Sequence, residues 1–205
     1  MLLYVSGPHG AGKTTLINGL LQYDSFHKAY SYDCHIPDRT AYERASIRIT
    51  KYLLEQQENI RRSKETDKII LADRGIYDTL CYIDAYLSLG WISKEQHQTL
   101  IEHINNLFFI YTRKKRDKVI LLIPNIENLS LRLRKRSFDG DTRWMQENEH
   151  FSQILHDCYL TRFITLEKLN IIKVIWLINN ASVMENIVYL RDELSKSNKD
   201  NNESK

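Results

Sequence analysis

Apolar, β-rich runs alternate along the chain with segments whose apolar residues recur at helical spacing. The runs cover residues 2–6, 30–36, 68–72, 119–123 and 171–178, and the second is the weakest. Several are continuously apolar, which indicates strands covered on both faces of a sheet. Because parallel neighbours require crossover connections, this alternation predicts an α/β fold with a five-stranded parallel sheet flanked by helices.

The segments between the runs are the predicted crossover helices. They cover residues 14–21, 40–62, 76–89, 94–111, a segment after Asn125 and a segment after Gln146. Together with the strands they predict a single domain over residues 1–194. Residues 195–205 contain no apolar side chain to bury, so a disordered tail is expected there.

The composition of the chain limits which class of protein it can be and which partners it can have. The chain has 205 residues, 42% hydrophobic and 27% charged, with a net charge of +3, which fits one soluble domain and gives no indication of a nucleic-acid partner. Three widely spaced cysteines without a CxxC pattern are typical of reduced thiols. The first apolar run is too short for a signal peptide and no run is long enough to span a membrane, so a cytoplasmic location is expected.

The stretch "GPHGAGKTT", residues 7–15, obeys the pattern G-x-x-x-x-G-K-[ST] between a predicted strand and a predicted helix. In such a loop, backbone N–H groups turn inward around a phosphate, the lysine reaches the β- and γ-oxygens, and the hydroxyl after it binds Mg²⁺. ATP contacts are therefore predicted at Gly7, His9, Gly10, Ala11, Gly12, Lys13, Thr14 and Thr15, with Lys13 also catalytic and Thr14 also a metal ligand.

The third apolar run ends in "KIILAD", which places Asp73 where a second Mg²⁺ ligand is expected, at the end of a strand beside the first. A polar residue that merely ends a strand is the alternative, and the glycine-rich loop favours the metal ligand. Arg74 follows directly, and its guanidinium stays charged at any working pH. We therefore expect Arg74 to bind a phosphoryl oxygen or the phosphate of an acceptor.

Two longer stretches resemble known kinases. Residues 73–93, "DRGIYDTLCYIDAYLSLGWIS", resemble deoxynucleoside kinases, and residues 123–163, "IPNIENLSLRLRKRSFDGDTRWMQENEHFSQILHDCYLTRF", are similar to thymidylate kinases. These families share one superfamily and fold, so the resemblance implies a P-loop kinase that uses ATP and Mg²⁺, and a possible homodimer. The chain departs from their patterns at His9, where thymidylate kinases carry an acid, at the inserted Thr142, and at Gly75, which replaces a serine or aromatic residue.

The thymidylate kinase resemblance also implies a lid at about residues 137–147. It would bring Arg136 and Arg143 onto the transferring phosphoryl group, where positive charge is most effective once water is expelled. The alternative is an exposed basic helix followed by a loop.

For the acceptor, "HIPDRTAYER" resembles the stretch after the second strand of deoxynucleoside kinases, which places Asp38 at their general base. The alternative for Asp38 is the N-cap of the following helix. Arg39 and Arg74 match the positions with which thymidylate kinases bind the acceptor phosphate, and Tyr77 is a further candidate contact.

Other side chains near these positions are predicted to have structural roles and no role in binding. Arg44 and Arg48 lie four residues apart on one helix face, which favours a solvated face over the alternative, a contact with the acceptor phosphate. Phe151 and Tyr159 have helical spacing, which is typical of packing aromatics.

The sequence thus favours phosphoryl transfer from Mg-ATP to a deoxynucleoside monophosphate. A deoxynucleoside kinase with Asp38 as base is the nearest alternative, and a P-loop ATPase or a kinase for a non-nucleoside acceptor is a further one.

Overall fold

The computed structural model describes residues 1–34, 39–108, 116–138, 148–178 and 182–202, the last eight of these and Ser137 by their backbone alone. Its strands are β1 (Leu2–Ser6), β2 (Phe26–Lys28), β3 (Ile69–Asp73), β4 (Asp117–Ile123) and β5 (Ile172–Ile178). Its helices are α1 (Lys13–Leu20), α2 (Ala41–Lys64), α3 (Ile76–Ser88), α4 (Lys94–Phe108), α5 (Ile126–Phe138), α6 (Glu149–Lys168) and α7 (Val183–Asn202).

The five strands form one parallel sheet in the order β2-β3-β1-β4-β5, which confirms the predicted fold. β1 lies at the centre, and Val5 pairs with Asp73 on one side and with Ile120 on the other. The carboxyl ends of parallel strands meet at one edge of the sheet. The glycine-rich loop after β1 and Asp73 at the end of β3 are therefore neighbours.

Helices cover both faces of the sheet, which explains the continuously apolar strands. Tyr4 and Ala72 face one buried cluster, formed with α2, α3, α4 and α6. Leu3 and Val5 face the other cluster, formed with α1 and α7. Among the described residues, no helix is both long enough and apolar enough to cross a membrane.

The second strand lies earlier in the chain than predicted, at residues 26–28 instead of 30–36. The segment after it is held by side chains of α2. Asn59 Oδ1 accepts from the backbone N–H of Tyr30 at 2.7 Å, and Glu55 Oε1 accepts from that of Tyr32 at 2.8 Å. These N–H groups are satisfied by side chains and not by a neighbouring strand, so residues 30–34, the described part of this segment, do not belong to the sheet.

Helix α2 begins with a reciprocal cap. The Thr40 hydroxyl accepts from the backbone N–H of Glu43 at 3.3 Å, while the Glu43 carboxylate accepts from the N–H of Thr40 at 3.1 Å. Hydrogen bonds from Thr40 lower the pKa of Glu43. Thr40 is therefore the N-cap, and the alternative that assigned this role to Asp38 is wrong.

The chain end also differs from expectation, because α7 continues to Asn202 where a disordered tail was predicted from residue 195. Once the first turns of a helix are formed and packed, adding residues to it costs little free energy, because each added residue gains one backbone hydrogen bond. The polar composition of residues 195–202 therefore does not prevent helical backbone.

The first strand and the start of α3 approach each other closely at Gly75. A Cβ at this position would lie 2.7 Å from Cδ1 of the Tyr4 ring. The Tyr4 hydroxyl accepts a hydrogen bond from Gln56 Nε2 at 3.1 Å, which holds the ring in place. The ring thus occupies the space that a side chain at position 75 would need, which accounts for this departure from the kinase pattern.

We expect Gly75→Ala to lower the free energy of unfolding by about 1–3 kcal/mol, the usual cost of overpacking. The backbone at Gly75 is extended, with φ −163°, so the cost is steric. Urea unfolding followed by tryptophan fluorescence measures it, and the added cost should shrink in a Tyr4→Leu background. An equal cost in both backgrounds would contradict the steric explanation.

Gly90→Ala is the matched control. Gly90 has φ +68°, and no atom lies within 4 Å of the place that a Cβ would occupy. Its substitution therefore carries only the conformational cost, about 1 kcal/mol. That cost should be the same whether position 4 is Tyr or Leu.

Candidate active site

The glycine-rich loop joins β1 to α1 with a backbone that depends on glycine. Gly7, Gly10 and Gly12 have φ of 143°, 75° and 95°, a region that other residues rarely adopt. A Cβ at Gly7 would also lie 2.4 Å from the carbonyl oxygen of Leu122 in β4. The loop therefore has the positive-φ geometry with which backbone N–H groups form a phosphate cradle at a helix N-terminus.

Lys13, the first residue of α1, folds its side chain back into this loop. Its ammonium donates to the carbonyl oxygens of Gly7 and Pro8, at 2.9 and 2.8 Å. Burial, and then the nearby Arg74, lowers the pKa of Lys13 well below its ordinary value. A phosphate oxygen is a better partner for this desolvated ammonium than a carbonyl, so the side chain is ready to bind one.

Two oxygen donors for a divalent cation face each other beside the loop. The Thr14 hydroxyl donates to Asp73 Oδ2 at 3.5 Å. Adjacent ligands of an octahedral Mg²⁺ lie about 3 Å apart, because its Mg–O distance is about 2.1 Å. Mg²⁺ binds phosphate sites through one or two protein oxygens, the phosphates and water, so this pair fits that ion. Within the described ranges, no group of three or more His, Cys, Asp and Glu side chains is arranged to hold a metal.

A cavity of about 360 Å³ opens on the other side of the loop. Its walls include Gly12 and Thr15, Arg132 and Arg136 of α5, and Asn186 of α7. This volume suits a nucleotide, and it continues from the loop toward the ends of β4 and β5.

Helix α5 brings its basic face to the donor loop. Arg132 donates to the carbonyl oxygen of Gly10 at 3.4 Å, and Arg136 lines the same cavity. Arg136 is therefore located where its proposed contact with the phosphates is possible. Arg143 and the predicted lid from residue 139 onward lie outside the described residues.

Arg74 is held in an unusual conformation between the donor loop and α6. Its φ is 72°, and a non-glycine residue in this region costs about 1–2 kcal/mol. Its guanidinium donates to the Tyr159 hydroxyl at 2.7 Å and lies 3.5 Å from Asp78 Oδ1. Burial opposes its charge, but Tyr159, Tyr82 and Asp78 together hold the pKa of Arg74 well above its ordinary value. Backbone strain of this kind is concentrated at functional sites.

Sequence reasoning missed Asp78, the most connected side chain of the site. Asp78 is 1% exposed, and it accepts hydrogen bonds from the Ser6 hydroxyl at 2.8 Å, the Gly75 N–H at 3.0 Å and the Tyr159 hydroxyl at 2.7 Å. The sequence does place Asp78 three residues after the N-cap of α3, where an acid often accepts from the N-cap N–H. That position accounts only for the hydrogen bond from Gly75.

Helix α2 turns arginines inward, so the assignment of Arg44 and Arg48 to a solvated face is wrong. Arg44 is 6% exposed. Arg48 donates to the Tyr86 hydroxyl at 3.0 Å, and its guanidinium lies 4.2 Å from the centre of the Tyr82 ring. The Arg74 guanidinium lies 5.5 Å from the same ring. Aromatic faces and hydroxyls can hold buried guanidinium groups, which a helical spacing alone does not reveal.

The imidazole of His9 is turned toward α3. His9 Nε2 and the Tyr82 hydroxyl form a hydrogen bond of 2.6 Å, and the two rings meet edge to face. His9 thus links the loop to α3, at the position where thymidylate kinases carry an acid.

Two of the predicted acceptor contacts, Tyr77 and Arg39, are paired with other side chains in the structure. Tyr77 is 1% exposed and its hydroxyl donates to Asp117 at the opposite edge of the sheet, at 2.7 Å, so it stabilises the core. The side chain of Arg39 is 49% exposed and pairs with Glu43 at 3.2 Å. Asp38 lies outside the described residues. Phe151 is buried as predicted for a packing residue.

The strand order and this loop give the fold of P-loop nucleoside kinases. Three solved structures of deoxyadenosine kinase from M. mycoides have the same fold. The one with bound dATP matches with a TM-score of 0.74 and 16% identity, over 95% of this chain and 100% of that one. The one with dCMP and a flexible dCDP gives 0.64 and 16%, and the one with dCTP gives 0.65 and 18%, each over 96% of this chain and 100% of the other.

The family follows from the sequence itself. Residues 2–165 match the family described as AAA domain, and the chain belongs to this family. No curated protein sequence matches the chain. The predicted fold, which is that of P-loop nucleoside and nucleotide kinases, is confirmed by the solved structures.

We expect Asp73→Asn to weaken Mg²⁺-dependent binding of ATP about tenfold or more, because the substitution removes the charged oxygen ligand. Titration of a fluorescent ATP analogue at several Mg²⁺ concentrations measures this, with binding in EDTA as the reference. Asp73 is exposed, so stability should stay within about 0.5 kcal/mol of the parent.

Asp67→Asn is the matched control, since Asp67 is exposed and precedes the opposite end of the same strand. It should leave the Mg²⁺ dependence unchanged. An unchanged Mg²⁺ dependence in Asp73→Asn as well would exclude Asp73 as a ligand.

Proposed function

We propose that this protein transfers the γ-phosphoryl group of Mg-ATP to a deoxynucleoside monophosphate. The proposal rests on one observation, the convergence of buried and half-buried cationic side chains beside the donor loop. Arg48 and Arg74 contact the same Tyr82 ring, and the charge of Arg74 also acts on Lys13. Asp78 is the buried carboxylate that contacts this group. A site with this excess of positive charge suits an acceptor that is itself an anion.

The donor half would use the glycine-rich loop, the end of β3 and the basic residues of α5 and the lid. The loop N–H groups and Lys13 would hold the β- and γ-phosphates. Thr14 and Asp73 would hold Mg²⁺, which neutralises charge on the phosphates when bound. Arg136 would add positive charge from α5, and Arg143 would add it from the lid.

The acceptor half would use Arg74 and Arg48. A guanidinium donates two parallel N–H groups to a phosphate, which fixes its orientation. An oxygen of the acceptor phosphate attacks the γ-phosphorus, the bond from that phosphorus to the β–γ bridging oxygen breaks, and ADP leaves. The attacking oxygen is already ionised, so the reaction needs positioning and charge neutralisation rather than a base.

Purified protein incubated with Mg-ATP and each deoxynucleoside monophosphate should form ADP and the matching diphosphate, as resolved by anion-exchange chromatography. The four deoxynucleosides serve as parallel acceptors. Turnover of nucleosides without turnover of any monophosphate would overturn the proposal. ATP hydrolysis that no acceptor stimulates would indicate a P-loop ATPase instead.

We expect Arg48→Met to raise the KM for the monophosphate about tenfold or more while the KM for ATP changes little. The reason is that only the acceptor phosphate would lose a charge-assisted hydrogen bond, and tenfold corresponds to about 1.4 kcal/mol. Arg61→Met is the control on the same helix, because Arg61 is 58% exposed and pairs with Glu58 and Glu65. An unchanged acceptor KM in Arg48→Met would remove Arg48 from the acceptor site.

A deoxynucleoside kinase is the second candidate. It is favoured by the likeness to deoxyadenosine kinase over the whole of that chain. In this case Asp38 would accept the proton of the 5′-hydroxyl as that oxygen attacks phosphorus. Asp38→Asn would then lower kcat by about 10²-fold or more with nucleosides, whereas phosphorylation of a monophosphate needs no such base.

A further inference from the structure

The carboxylate of Asp78 lies between the two halves of the proposed site. On the donor side, Oδ2 accepts from the hydroxyl of Ser6 at 2.8 Å, and Oδ1 accepts from the backbone N–H of Gly7 at 3.4 Å. Ser6 is the last residue of β1 and Gly7 is the first glycine of the phosphate loop. These contacts fix the point where the loop leaves the sheet.

The same carboxylate holds the acceptor side. Oδ1 accepts from the hydroxyl of Tyr159 at 2.7 Å and lies 3.5 Å from the Arg74 guanidinium, while Oδ2 accepts from the N–H of Gly75 at 3.0 Å. Tyr159 in turn accepts from Arg74 at 2.7 Å. Asp78 and Tyr159 together determine where the Arg74 guanidinium points.

We infer that Asp78 is a positioning residue that couples the ATP-binding loop to Arg74, so that a change on either side alters binding on the other. The acceptor half of this inference rests on the proposed function, whereas the effect on ATP binding does not. Asp78 is proposed to act through the loop and Arg74 without touching a substrate.

A carboxylate is required at this point because both of its oxygens accept. Oδ2 serves Ser6 and Gly75, and Oδ1 serves Gly7, Tyr159 and Arg74. An asparagine has one acceptor oxygen and an NH₂ group that only donates. Whichever way the amide of the Asp78→Asn variant is turned, its NH₂ group would face other donors. These are Ser6 and Gly75 in one orientation, and Gly7, Tyr159 and Arg74 in the other. A buried donor without an acceptor is costly, so the local structure would shift and one half of the site would be displaced.

Three features keep the network rigid. Asp78 is 1% exposed, so water does not compete for its oxygens. It lies in the first turn of α3, where the helix dipole stabilises negative charge. It also connects three segments that are distant in sequence, since Ser6 and Tyr159 are separated from it by 72 and 81 positions. A displacement on one side is therefore transmitted to the other.

The decisive variant is Tyr159→Phe, because Tyr159 lies on α6 and its hydroxyl donates directly to the carboxylate that contacts the loop at Ser6 and Gly7. We expect this substitution to weaken binding of mant-ATP about threefold to tenfold in the absence of any acceptor, as measured by fluorescence titration with Mg²⁺. In an Asp78→Asn background the same substitution should have little further effect, because the connection is already broken.

Tyr77→Phe is the matched control. Tyr77 is equally buried on α3 and also donates one hydroxyl hydrogen bond, but to Asp117 at the far edge of the sheet. Both Tyr→Phe variants should lower the midpoint of thermal unfolding, whereas only Tyr159→Phe should change the Kd for mant-ATP. A purely structural role of Asp78 predicts that both variants leave this Kd unchanged.

The reciprocal variant is Ser6→Ala, which removes a hydroxyl from the donor side and should raise the KM for the monophosphate acceptor about threefold or more. If the parent protein phosphorylates no monophosphate, the proposed function fails, but the mant-ATP titrations still test the coupling.

The inference is overturned if Tyr159→Phe binds mant-ATP within twofold of the parent, or if its effect is equally large with Asp78→Asn present.

Discussion

One buried carboxylate joins the parts of this molecule that a phosphoryl transfer site needs. Asp78 receives hydrogen bonds from the end of β1, from the turn after β3 and from α6, which are separated by most of the chain. The parallel sheet makes this possible, because all its strands end at one edge and each crossover helix starts there. The sheet places the segments near one another, and the carboxylate sets the distances between them.

The site is also defined by how it stabilises buried positive charge. The guanidinium groups of Arg48 and Arg74 are held by tyrosine hydroxyls and by the face of Tyr82, and Lys13 is held by backbone carbonyls. Apart from the contact of Arg74 with Asp78, these partners are neutral, so they satisfy hydrogen bonds without cancelling the charge. An arriving phosphate would therefore meet cations that are already desolvated and oriented, which is the condition under which electrostatic stabilisation is strongest.

The sequence predicted the structural features that are encoded by residues close together in the chain. The phosphate loop with Lys13 and the strand ending at Asp73 were recognisable because a glycine-rich turn and a buried strand are each encoded within a few positions. Asp78 was missed because four of its five hydrogen-bonding contacts come from outside its own cap, and three of them from residues more than seventy positions away. Arg48 was assigned to solvent because its spacing shows a helix face but not what covers that face. The strand β2 was misplaced because side chains of a distant helix hold the segment after it.

The contact between Tyr4 and Gly75 shows that two positions in different elements share one volume. The ring at position 4 fills the space that a side chain at position 75 would need, at the residue after Asp-Arg where the kinases that this stretch resembles carry a larger residue. Neither position can change alone without a clash or a void. Homologous chains should therefore carry a large residue at one of these positions and a small residue at the other. Substitutions at positions 4 and 75 should occur together.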